Sequence, residues 1–137
     1  PGIDGQKMSK SYNNFIDIFL PEKKLKKQIM SIKTDSISVD DPKNPDNCTV
    51  FKLYEIIADK SDVLDLEKKY RKGGYGYGHA KKDLFEVILE KYKSQRELYN
   101  HYINNQSLIE QKLIKGAEKA NEIAITVIDR VRKNIGY

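Results

Sequence analysis

The sequence predicts an all-α chain, a helical bundle preceded by a loop, and three observations predict it. Apolar residues recur at spacings of three and four from residue 21 onward, while no segment keeps the strict alternation of a half-buried strand. Charged residues make up 33% of the chain, against about 25% in an average globular domain, which suits thin helical layers with wide solvated faces better than a compact α/β core. Ile, Leu, Val and Phe supply 36 of 137 residues, enough for a small core and above the roughly 20% below which highly charged chains stay disordered.

Residues 1–20 read as a loop and linker, and residues 21–137 as the helical domain. The opening Pro1-Gly2-Ile3-Asp4-Gly5, without an initiator Met, is expected to enter mid-structure, in a piece of a longer protein. Pro21 suits a first helical position, because its fixed φ is already helical and its missing N–H is not needed there. Leu25, Ile29 and Ile32 follow on one face and Lys23, Lys24, Lys26 and Lys27 on the other. From Lys33 to Asn47 the pattern dissolves into a polar stretch with Pro42 and Pro45, expected to be a long surface loop. Asp46 or Asn47 is expected to cap the next helix, which carries Val50, Phe51, Tyr54, Ile57 and Ala58 on its apolar face. Ser61 is expected to cap a further helix that ends at Gly73-Gly74.

The second half is almost wholly helical in pattern. Leu84, Phe85, Ile88, Leu89, Tyr92, Tyr99 and Tyr102 keep helical spacing from about Gly78 to Asn104. Ser107 and Glu110 have the spacing of a capping box, in which each side chain satisfies the other's free backbone amide. A stripe of Leu113, Ala117, Ala120, Ala124, Val127 and Val131 follows, and its small residues imply close antiparallel packing on the preceding helix across a turn at Asn104-Asn105-Gln106. Gly116 costs about 1 kcal/mol inside a helix, which makes it the place where a bend or break would fall.

The formal charge of +5 hides an uneven distribution. Residues 1–33 carry +4, residues 34–66 carry −5, residues 67–100 carry +4 and residues 101–137 carry +2. Two basic segments thus flank an acidic one, which says more about partners than the total does. No run approaches the ~20 apolar residues of a membrane span, and no signal-peptide pattern opens the chain. Cys48 alone cannot form an internal disulfide, which is compatible with a reducing compartment. His79 and His101 lack metal-ligand spacing with each other or with Cys48, and Asp35, Asp40 and Asp41 lack the glycine and spacing of a calcium loop, so no metal site is expected.

The sharpest local feature is Lys7-Met8-Ser9-Lys10-Ser11, between the Asp4-Gly5 turn and Tyr12-Asn13-Asn14. It sets two ammonium groups three residues apart with two hydroxyls and free amides on a short loop, a combination that binds anions. A generic polar loop satisfies the same residues. A second feature, Gly73-Gly74-Tyr75-Gly76-Tyr77-Gly78-His79-Ala80-Lys81-Lys82, places Lys81 and Lys82 in the first turn of a helix, where the helix dipole disfavours cations. An RNA phosphate would remove that conflict; solvated lysines above packed tyrosines are the simpler reading.

The pentapeptide Lys7–Ser11 resembles the KMSKS signature of class I aminoacyl-tRNA synthetases, and a chance match of five fixed residues in so short a chain is on the order of one in tens of thousands. Ile3-Asp4-Gly5-Gln6 before it, Ile32-Lys33-Thr34-Asp35-Ser36, the Gly74–Gly78 segment with Ala80-Lys81, and Gly116-Ala117-Glu118-Lys119-Ala120-Asn121 resemble, in order, the closing third of bacterial tryptophanyl-tRNA synthetases. Tyrosyl-tRNA synthetases share the architecture and are the nearest alternative. A non-catalytic helical RNA-binding or interaction module that has kept a synthetase-like sequence is the alternative from another class.

The resemblance implies a specific set of roles. Lys10 would stabilise negative charge on pyrophosphate as the tryptophan carboxylate attacks the α-phosphate of ATP, and Lys7, Ser9 and Ser11 would hold the triphosphate, with Met8 packed beneath the loop. Mg2+ would accompany ATP, and the helical part, an anticodon-binding-type domain, would meet tRNA(Trp), with Lys81 and Lys82 as candidate contacts. No strand–glycine loop–helix unit is legible, and neither histidine has a HIGH-like context. The α/β nucleotide-binding domain and the L-tryptophan pocket are therefore expected outside this chain, which alone is expected to be inactive. For the whole enzyme the resemblance implies a cytoplasmic homodimer with no membrane partner.

Overall fold

Helix periodicity carries over into the computed structural model, which describes residues 1–136. The elements are α1 (Glu22–Met30), a single 3-10 turn at Pro45–Asn47, α2 (Thr49–Ile57), α3 (Lys60–Lys72), α4 (Tyr77–Lys91), α5 (Lys93–Asn104) and α6 (Gln106–Ile135). No strand occurs among the described residues. Two compact units divide at Arg96 and Glu97, so residues 1–20 fall in the same unit as α1–α4.

The first unit is built as the spacing dictates. Leu25, Ile29 and Ile32 are buried, as are Val50, Phe51, Leu53 and Tyr54 of α2, Leu66 and Tyr70 of α3, and Ala80, Leu84 and Ile88 of α4. Tyr70 lies at the centre, its ring 5.9 Å from both Phe51 and Tyr77. Burial, first of all, pushes its phenol well above the ordinary tyrosine range. Its hydroxyl meets the buried Cys48 thiol at 3.6 Å.

Several boundaries differ from expectation. The cap residue of α2 is Cys48 and that of α3 is Asp59; Asn44 instead caps the 3-10 turn, accepting from the Asp46 N–H at 3.0 Å. The expected helix from Gly78 to Asn104 is divided at Tyr92. Gly73 ends α3 with φ +80° and ψ 179°, and a Cβ there would collide with the Asp40 carbonyl oxygen. That region is essentially open only to glycine, so the loop before the 3-10 turn lies against the end of α3.

The expected surface loop is anchored by a residue its polarity conceals. Lys43 is 2% exposed. Its Nζ donates to the carbonyls of Ser38 (2.8 Å), Val39 (3.1 Å) and Asp41 (3.0 Å) and lies 5.5 Å from the Tyr77 ring centre. Its backbone N–H donates to the Tyr70 carbonyl. A lysine with three carbonyl partners satisfies its three donors, which is what allows its burial.

In the second unit, α6 runs unbroken through Gly116 for 30 residues. The Ser107–Glu110 capping box does not form: the helix starts at Gln106 behind Asn105, without a side-chain cap. The stripe from Leu113 to Val131 is exposed rather than packed, with Leu113 63% exposed. The contact with α5 is local, with Lys112 over the Tyr102 ring at 5.5 Å. No helix among the described residues is long and apolar enough to cross a membrane.

Candidate active-site loop

The Lys7–Ser11 loop is organised from beneath by one buried side chain, Asn14. The Asn14 Nδ2 donates to Asp4 Oδ1 (2.9 Å) and to the Lys7 carbonyl (3.1 Å), and its Oδ1 accepts from the Ser9 N–H (2.7 Å). The Asn14 carbonyl accepts from the Ile3 N–H at 2.8 Å. Gly2 makes this approach feasible, since a Cβ there would collide with the Asn14 backbone and side chain. Asn13, at φ 50°, makes the reversal that brings Asn14 under the loop, and asparagine tolerates that left-handed conformation better than most residues.

Asp4 closes the base of the loop. Its Oδ1 also accepts from the Gln6 N–H at 3.0 Å. The Asn14 amide, then the Gln6 N–H, hold its carboxyl below the ordinary aspartate value, because both bonds favour the ionised form. Above this base, Lys7, Lys10 and Ser11 are exposed and Ser9 is half-buried. Ser9 Oγ and Ser11 Oγ are 2.8 Å apart, so one hydroxyl donates to the other, and the pair keeps one further O–H and acceptor capacity toward solvent. Met8 is 39% exposed in this chain, not packed beneath the loop.

Two further side chains tie the linker to the helices. Gln28 of α1 donates to the Phe15 carbonyl at 2.8 Å and accepts from the Asp17 N–H at 3.0 Å. Arg96 of α5 donates to the carbonyls of Ile18 and Leu20, the latter at 3.0 Å. The Lys33 N–H reaches the Ile3 carbonyl at 2.7 Å. Nothing in the sequence marks Gln28, Arg96 and Lys43 as structural, because polar residues in loops and on helix faces are ordinarily solvated. For Asn14 a signal existed: an asparagine three residues beyond a short loop is the residue type that bonds backbone locally.

The second predicted site divides. Lys81 is buried, and its Nζ donates to the Met30 carbonyl at 3.1 Å. Burial, above all, holds its ammonium below the ordinary lysine value. The conflict between a cation and the first turn of α4 is thus met inside the protein, by the electronegative end of α1, not by an external phosphate. Lys82 is exposed and lies 3.7 Å from Glu86. Tyr75 donates to Asp83 and stacks near His79 at 5.4 Å, so the glycine-rich segment is a packed joint between α3 and α4. Nothing places Lys81 or Lys82 beside the Lys7–Ser11 loop.

A helical body bearing a loop of two exposed lysines and two serines, fixed at its base by a buried asparagine, matches a known class. The family model for class I tRNA synthetases (W and Y) matches residues 1–93, and the chain belongs to that family. Within it the chain is similar to tryptophan–tRNA ligases. It is 46% identical over 135 residues to that of Campylobacter jejuni, covering 98% of this chain and 42% of the relative. To the Rhodopirellula baltica ligase it is 43% identical over 136 residues, covering 99% and 42%. The crystal structure of the tryptophanyl-tRNA synthetase from Campylobacter jejuni complexed with ADP and tryptophan superposes with a TM-score of 0.94 at 46% identity, over 99% of this chain and 43% of that one. The chain spans less than half the length of these relatives.

Proposed function

We propose that this chain is the C-terminal part of a tryptophan–tRNA ligase, and that its Lys7–Ser11 loop clamps the phosphates of ATP while tryptophanyl-adenylate forms. The observation that carries this reading is the loop itself: Lys7 and Lys10 exposed, with their backbones fixed by Asn14 and Asn13. Their ammonium groups are mobile point charges on rigid footings, able to follow phosphate oxygens as charge moves from the α-phosphate to the leaving pyrophosphate. Lys10 takes the leaving-group charge, and Lys7, Ser9 and Ser11 hold the triphosphate. Mg2+ arrives with ATP as part of that substrate.

The products are AMP, diphosphate and tryptophanyl-tRNA(Trp), and the setting is the cytoplasm. The tryptophan pocket, the rest of the ATP site and the homodimer contacts belong to the part of the enzyme outside this chain. The exposed apolar stripe of α6 suits coverage by that part. The helical body meets tRNA(Trp), with Lys82 as the exposed member of the lysine pair.

In the full-length ligase, Lys10→Ala slows tryptophan-dependent ATP–pyrophosphate exchange by about 100-fold or more, the scale of losing one preorganised charge partner in a transition state. A near-normal exchange rate refutes the assignment. The isolated 137-residue chain gives no aminoacylation, and turnover by the pure chain would contradict the division of labour.

A further inference from the structure

We propose that Asn14 is a positioning residue for adenylate formation, fixing the backbones from which Lys7 and Lys10 project; this inference rests on the phosphate-clamp reading of the loop. Asn14 is 2% exposed, although it lies in a stretch whose neighbours Tyr12 and Asn13 are exposed. A primary amide is buried in a loop only when its capacity is used. Here three of its side-chain bonds are made, and all three go to the loop or its base: Asp4, the Lys7 carbonyl and the Ser9 N–H.

The pattern of bonds matters more than their number. The Lys7 carbonyl is held by Asn14 Nδ2, and the Ser9 N–H by Asn14 Oδ1. Lys10 follows directly, and its own carbonyl accepts from the Asn13 N–H at 3.1 Å. The segment between the two lysines is therefore pinned at both of its ends by one side chain, and the turn beyond Lys10 closes onto the residue next to it. Asn14 directs its side-chain bonds to the loop and its base, so it acts through the lysines. A reacting group displaced by about 1 Å costs on the order of 100-fold in rate, so loss of these bonds appears in catalysis before it appears in the fold, whose core lies in α1–α4.

The chemistry distinguishes the amide from its isostere. Aspartate at position 14 keeps an acceptor for the Ser9 N–H but sets a carboxylate against Asp4 and the Lys7 carbonyl, where two donors now stand. Asparagine at position 4 keeps the Oδ1 that accepts from both Asn14 and Gln6, so Asp4→Asn removes the charge alone and Asp4→Ala removes the acceptor as well.

The test is a double-mutant cycle in the full-length ligase, read as tryptophan-dependent ATP–pyrophosphate exchange. Asn14→Ala and Asn14→Asp each lower kcat by about 10- to 100-fold, with a smaller change in KM for ATP. In the Lys10→Ala background, Asn14→Ala lowers the rate further by less than about threefold, because the lysine it positions is gone. Asp4→Ala, which removes the exposed side of the base, repeats the cycle should Asn14→Ala fail to fold, and the same loss of additivity is expected. Losses that multiply fully with Lys10→Ala, or parent-like rates for Asn14→Ala, overturn the positioning role while leaving the clamp intact. A parent-like rate for Lys10→Ala alone overturns the clamp reading, and the inference that rests on it.

Discussion

Replacing Lys43 by methionine isolates the contribution of a buried cation to the fold that carries the signature loop. Methionine keeps an unbranched apolar stem of similar length and deletes the ammonium, so packing changes little and the charge-assisted bonds are lost. Those bonds go to three carbonyls of one loop, at 2.8, 3.1 and 3.0 Å. A hydrogen bond to a charged group contributes about 1.5–3 kcal/mol net, but three on one ammonium do not add, and the released carbonyls of an exposed loop recover water. The cation–π contact with Tyr77 adds about 1 kcal/mol. The expected loss is therefore about 2–3 kcal/mol, which for a unit of this size lowers Tm by roughly 10–20 °C. Thermal melting followed by far-UV circular dichroism, with Lys43→Arg and Lys52→Met as controls, reads the effect. A Lys43→Met melt within about 2 °C of the parent would show that the loop carbonyls are equally well served by water.

Three further outcomes follow from the same geometry. Gly73→Ala forces a Cβ onto the Asp40 carbonyl at φ +80° and lowers stability by about 2–3 kcal/mol, measured by urea unfolding. Tyr70, fully buried and with its phenol raised by burial, stays protonated in the fold above its unfolded value near 10, so its contribution is whole below pH 10 and is lost as pH rises beyond it. The unfolding free energy then falls by about 1.4 kcal/mol per pH unit from this residue, and Tyr70→Phe removes that slope in alkaline denaturation. Binding of tRNA by the ligase weakens steeply with salt, and Lys82→Ala reduces the slope of log K against log salt by about 1 whereas Lys81→Met leaves it unchanged; equal effects would return Lys81 to the surface.

The sequence made the apolar skeleton legible because helix burial is periodic: Leu25, Ile29 and Ile32, or Val50, Phe51 and Tyr54, announce their face by spacing alone. The five residues of the signature loop were legible because their types and order are rare together. What stays hidden is polar. Lys43 and Lys81 have the composition of solvated lysines, yet each is drawn inward by carbonyls, those of the adjoining loop for Lys43 and that of Met30, 51 residues away, for Lys81. The cap positions of α2, α3 and α6 fall one or two residues from the expected capping residues, and none of the three has a side-chain cap, so residue type alone does not mark them. The stripe on α6 is apolar by spacing and helical in the structure, but periodicity does not say what covers a face, and in this chain it is exposed.

The proposed role of Lys10 is to act on the charge that develops during adenylate formation. Single-turnover formation of tryptophanyl-adenylate by the full-length ligase, with ATP binding measured separately, tests it most directly. For Lys10→Ala the account predicts a fall of about 100-fold or more in the chemical step with less than a tenfold change in ATP affinity, about 1.4 kcal/mol. Weakened ATP binding with an unchanged chemical step would contradict it, since the lysine would then serve the ground state alone.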